Sequence, residues 1–112
     1  MKIFTQQQEK KLNSNSKKHD GVAYVKLFNP SGGQTWYISE TEMQEDRLIG
    51  FGLADLGLGF PEIGTFCIDE IIEMKYPPFG LSVERDKWFK PMPLSDILNE
   101  LKKGKAIWQI EQ

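Results

Sequence analysis

The sequence has little to coordinate or cross-link with: one cysteine, Cys67, and one histidine, His19, in 112 residues. A single cysteine excludes an internal disulfide. One His and one Cys, far apart in the chain, do not make a protein-only zinc set. A Cys–His catalytic couple would have to recruit the polar N-terminal stretch in which His19 lies. Cys67 sits in an apolar run and reads as a small core residue, and His19 reads as a surface residue. No apolar run approaches the ~20 residues that span a bilayer, and the N-terminus has no signal-peptide core. The expectation is a cytoplasmic protein with no membrane partner and no cofactor.

Basic residues are nearly absent from one third of the chain. Residues 40–73 carry nine acids and a single base, Arg47, for a net −8, whereas the whole chain is at −2. Residues 1–20 hold five lysines and two acids, and read as a solvated polar segment rather than a nucleic-acid arm. Overall charge gives no case for nucleic acid. The acidic third is either a solvated surface, a face for a basic protein partner, or one that imitates nucleic acid. Glu40, Glu42, Glu45 and Asp46 are its candidate contact residues.

What is present reads as one α+β domain over residues 21–112, after the polar segment 1–20. A short, weakly anchored helix over Ile3–Leu12 is followed by a linker. "VAYVKLF" (22–28) and "QTWYISE" (34–40) form a hairpin about the turn "NPSGG". "TEMQEDR" (41–47) is a polar connection. "LIGFGLA" (48–54) and "EIGTFCI" (62–68) are further strands, Asp69 N-caps a short helix over 70–74, and "LSVERD" holds a short strand. "PLSDILNELKKG" is the clearest helix, with Leu94, Ile97, Leu98 and Leu101 at helical spacing and Gly104 just past its end. "AIWQIEQ" reads as a last edge strand able to pair with a second copy. Short turns between strands predict an antiparallel sheet of four to six strands with two short helices.

The glycine-rich stretch "FGLADLGLGFPEIGTF" (51–66) is not a phosphate loop. No Gly-Lys-Ser/Thr triplet follows its glycines. Glu62 and Asp55 stand where a dinucleotide fingerprint needs Gly or Ala. Gly57 and Gly59 read as turn residues. Gly50, Gly52 and Ala54 share one strand face, bare enough to admit a ring, a backbone or a ligand. Asp55 and Glu62 flank the turn; Asp55 either caps it or joins Glu62 in binding or acid–base work. Arg85 either grips an anion or pairs with an acid such as Glu62 or Asp55. Trp36 and Trp88 either pack or stack on a ligand. No EF-hand spacing accompanies the carboxylates.

The segments "VKLFNPSGGQTWYISE", "FGLADLGLGFPEIGTFCIDEI" and "GLSVERDKWFKPMPLSD" resemble, in this order, a family of short bacterial proteins, domain of unknown function two-nine-five-eight. The resemblance covers about Val25–Leu101, with Ile63 where Leu is usual and Thr65 where an aromatic is common. It implies a setting on conjugative plasmids, integrative elements and phages, beside genes for DNA transfer or defence evasion. It brings no catalytic residues. It does draw attention to Lys26, Trp36, Asp55, Glu62, Glu84, Arg85 and Asp86, the polar or aromatic positions inside the shared motifs.

Three functions are compatible with these residues. The first is a non-enzymatic accessory protein of a mobile element, binding a host or element-encoded protein through its acidic surface. The second is a small-ligand or nucleotide-binding module, with the Gly50/Gly52 face as floor, Trp36 stacking and Arg85 holding an anion. The third is a small metal-dependent hydrolase using Asp55, Glu62 or Asp86. The absence of a nucleophile–base couple favours the first.

Overall fold

A computed structural model describes residues 3–103. The elements run α1 (Gln6–Lys18), β1 (Val22–Ala23), β2 (Val25–Phe28), β3 (Thr35–Gln44), β4 (Arg47–Asp55), β5 (Glu62–Cys67), α2 (Ile68–Glu73), β6 (Glu84–Arg85), β7 (Met92–Pro93) and α3 (Leu94–Lys102). Five strands form one antiparallel sheet in the order β5-β4-β3-β2-β6, and β1 pairs with β7 in a small second sheet. The domain is α+β, as its short connections predict. The expected final strand over "AIWQIEQ", its dimer edge and the Gly104 cap lie outside the described residues.

Each face of the large sheet is covered by helix. On one face Val25, Leu27, Trp36 and Ile38 pack with Ile3, Phe4, Leu12, Ile68, Ile71 and Val83 beneath α1 and α2. On the other, Tyr37, Leu53 and Ala23 pack with Leu94 and Ile97 of α3, flanked by Phe51 and Phe89. The two clusters follow from the period-two alternation of β3 and β4.

Three local features differ from the sequence reading. The N-terminal helix runs to Lys18 and is anchored, with Leu12 and Asn15 buried. Thr5 and Gln8 close a capping box at its start. Its weak apolar content hid this, because three large residues, Ile3, Phe4 and Leu12, suffice when each is wholly used. The acidic "connection" after Glu40 is strand instead: β3 continues to Gln44, and only Glu45 and Asp46 turn, Glu45 with φ 56°. Pairing with β4 outweighs the poor strand propensity of the acids. Asp69 does not N-cap α2. That helix starts two residues earlier, at Ile68 with Cys67 as its N-cap, and Asp69 Oδ2 accepts the Leu48 amide at 2.7 Å, tying α2 to β4 beyond the end of β5.

One irregularity in β3 sets which side of the sheet its later residues face. Ile38 pairs with Gly52, but Glu40 pairs with Phe51, so Ser39 is an extra residue in β3. This β-bulge turns Glu40 onto the α3 side of the sheet, alongside Phe51.

Candidate functional site

The α3 side of the sheet carries two cavities, one near each end of β3.

The first lies by the β2–β3 loop and measures about 550 Å³. It gathers Lys26, Glu84, Arg85 and Asp86 with Asn29, Gly33 and Trp88. Asn29 organises the loop: its side chain accepts the Ser31 amide at 2.8 Å and donates to Gln34 at 2.7 Å. Lys26 Nζ is 3.2 Å from Asp86 Oδ2, with side chains only 6% and 15% exposed, and lies 5.9 Å from the centre of the Tyr37 ring. Asp86 also accepts the Trp88 amide at 2.9 Å, which presents the Trp88 indole 86% exposed at the rim. The Lys26 charge is thus already met by protein, which suits a structural pair better than an anion grip. Arg85 points to the opposite side, where Nη1 donates to the Ile3 carbonyl at 2.7 Å. The expected pairing of Arg85 with Glu62 or Asp55 is replaced by this tie to the N-terminus.

The bare strand face is not a floor open to a guest. A Cβ on Gly50 would stand 2.7 Å from Ile68 Cδ1 and 3.0 Å from Phe66 Cε1, so the protein's own side chains occupy that space. A Cβ on Gly52 would lie 1.9 Å from the Tyr37 carbonyl oxygen, because the bulge brings the β3 backbone close. Trp36 is 5% exposed and packs against Tyr76, ring centres 6.3 Å apart. Asp55 takes its capping alternative, accepting the Gly57 amide at 3.1 Å, with Gly57 at φ 78°. Glu62 faces Ala54 across β4 and is exposed.

The second cavity, about 500 Å³, opens beneath the base of the β3–β4 hairpin. Its apolar wall includes Ile49 and Phe51, and its polar groups include Glu40, Glu42 and His19. The register places Glu42 opposite Ile49 and Glu40 opposite Phe51, so all four share one face. Glu40 is largely buried, and both its oxygens lie 2.9 Å from His19 Nδ1. His19 itself is the left-handed C-cap of α1, at φ 52°.

The segment carrying His19 is held firmly. Asn15 Nδ2 donates to Asp20 Oδ1 and to both the carbonyl and hydroxyl oxygens of Ser39. The Asp20 carboxylate further accepts the Val22 amide and the Tyr24 hydroxyl. Burial pushes the Asp20 carboxyl up, but the hydrogen bonds from Tyr24, Val22 and Asn15, with the charge of Lys11, outweigh it and hold it below its ordinary value. The Tyr24 hydroxyl is pushed up to about 12, first by its bond to Asp20, then by burial and by the Asp20 charge. The sequence reading missed the His19–Glu40 pair because the partners are 21 positions apart and meet only through the bulge.

Past this cavity the hairpin outruns its neighbouring strands, with Phe4 and Glu9, Lys10 and Asn13 of α1 beside Thr41–Met43 and Arg47 Nη2 3.7 Å from Glu70 Oε1 of α2. β2 pairs with β3 only through Ile38 and β5 with β4 only from Ile49, so Glu42–Arg47 project beyond both. Every one of these residues is exposed, Met43 by 61%. Of the four expected acidic contact residues, Glu42, Glu45 and Asp46 are on this tip, while Glu40 is withdrawn against His19.

Among the described residues no group of three His, Cys, Asp or Glu side chains converges as a metal set, and no helix is long and apolar enough to cross a membrane. The family model described as "Protein of unknown function (DUF2958)" matches residues 2–108. No curated protein and no solved structure matches the chain.

Proposed function

The chain belongs to the DUF2958 family of proteins of unknown function, and from that premise and the geometry of its hairpin we propose that it is a non-enzymatic interaction protein that docks a basic protein partner. The observation that carries this reading is the projecting tip. Glu42, Glu45 and Asp46 stand against one base, Arg47, on six consecutive exposed residues. Met43 adds a large exposed apolar side chain next to Glu42. Charge of one sign steers a partner of the other, and an exposed apolar anchor supplies the desolvated contact that fixes it. The mobile-element setting implied by the family resemblance supports a host or element-encoded protein as that partner, with defence evasion as one purpose such docking would serve.

In affinity capture from bacterial lysate, the wild-type chain is expected to retain a basic protein that a Glu42→Gln, Glu45→Gln, Asp46→Asn variant loses. Binding of that protein should weaken as salt is raised from 50 to about 300 mM, since exposed charges are screened over roughly 10 Å at 0.1 M. Equal recovery by wild type and variant, or no protein above background, would overturn the reading.

A further inference from the structure

We propose that the cavity beneath the hairpin base is a binding site for a small organic cation, an ammonium group carried on an aromatic or aliphatic body. This goes beyond the docking of a protein on the hairpin tip and rests on the cavity: Glu42 is shared with the tip, whereas Glu40, Ile49, Phe51 and Thr65 are not. A volume of about 500 Å³ falls in the range of small-molecule sites, which are mostly apolar with a few convergent polar groups. Ile49 and Phe51 give the apolar wall, with Thr65 beside Phe51 on the neighbouring strand.

The charges decide the sign of the ligand. Among the described residues, Glu40 and Glu42 are the acids lining the cavity, and neither Lys nor Arg lines it. His19 adds one positive charge when protonated and none when neutral, so the lining is net negative in either state. An anionic ligand is therefore repelled, and a neutral one can hydrogen-bond to the two carboxylates but gains no ion–ion attraction. Acceptor capacity remains on both. A carboxylate offers about four lone-pair sites. Glu40 spends part of its capacity on His19 Nδ1, and Glu42 accepts from Gln44 through Oε1 alone. The polar and apolar parts also lie in the right order. The two acids project from β3 and the apolar residues from β4, one strand across, so an ammonium at Glu40 and Glu42 lays its body on Ile49 and Phe51. The Phe51 ring adds a face that attracts cations.

The test uses the full chain with three probes of one shape: 2-phenylethylammonium, 2-phenylethanol and phenylacetate. In amide NMR titrations the ammonium is expected to shift Ile49, Phe51 and Thr65, with a dissociation constant on the order of 1 mM or tighter. The alcohol should bind about tenfold more weakly, having one donor in place of three and no opposite charge, and phenylacetate should not shift these amides. Glu42→Gln, an exposed change that leaves the fold intact, should weaken the ammonium about fivefold. Thr65→Trp, on an exposed position of β5, should block the cavity and abolish the shifts. Glu45→Gln with Asp46→Asn should leave ammonium binding unchanged, so that this inference and the protein-docking reading fail separately. Equal or tighter binding of the alcohol or the carboxylate, no shifts at the three amides, or indifference to Glu42→Gln would overturn it.

Discussion

At the scale of single residues, the two glycines of β4 look alike in the sequence and differ in what surrounds them. Gly52 faces a backbone carbonyl, which cannot move without breaking the bulge. Gly50 faces the ends of Ile68 and Phe66, which can shift. Gly52→Ala is therefore expected to cost about 3 kcal/mol or to prevent folding, and Gly50→Ala about 1 kcal/mol, by urea denaturation. A similar cost for both would show that the bulge is not what fixes Gly52. Tyr24 makes a pH prediction. Its hydroxyl titrates near 10 in the unfolded chain and at about 12 in the folded one. The proton is thus held more tightly in the fold. The stability this contributes is complete below pH 10 and is lost as pH rises through about 12. Tyr24→Phe should lower stability at pH 8 and flatten the alkaline loss over that window, read from urea midpoints at successive pH values.

At the scale of elements, α1 is the part most altered by tertiary context. Read by composition it is a polar tail; in the fold, Leu12 is fully buried and Asn15 bonds to the bulge at Ser39. Two outcomes follow if α1 belongs to the cooperative unit. Limited trypsin digestion of the native chain should spare Lys10, Lys11, Lys17 and Lys18, although all four lie in a stretch that would be cut at once in a linker. Asn15→Ala should cost about 2 kcal/mol, because it strands Ser39 and Asp20 groups that Asn15 now satisfies. Rapid cleavage in α1 at native conditions would contradict the packing described. The clearer helix, α3, and the β2–β3 hairpin were legible beforehand, since helical spacing and the "NPSGG" turn are local signals. The extension of β3 to Gln44 was not, because acidic residues become strand there only by pairing with β4.

At the scale of the whole molecule, the −8 segment does not form one uniform acidic surface. Asp69 is spent on the Leu48 amide, Asp55 on a turn and Glu40 on His19, while Glu42, Glu45 and Asp46 are gathered on the projecting tip. Neutralising those three should leave unfolding free energy within about 0.5 kcal/mol of wild type, because they are exposed. The same change should abolish partner capture. A large loss of stability would mean that the tip is structural rather than a contact surface. Of the residues singled out by motif, Lys26, Glu84, Arg85 and Asp86 do fall together, but Arg85 turns away to Ile3 and Lys26 closes on Asp86.

The sequence by itself determined the α+β class, the antiparallel connectivity, the position of α3 and the family, because each rests on local periodicity, short connections or a contiguous motif. The tertiary structure alone decided that α1 is core, that the Gly50/Gly52 face is filled from within, and that His19 meets Glu40 over a cavity. All three depend on long-range contacts, and two of them on the one-residue bulge at Ser39. An extra residue in a strand leaves no mark in the hydrophobic pattern until the partner strand fixes the register, and the register decides which side of the sheet every later side chain faces.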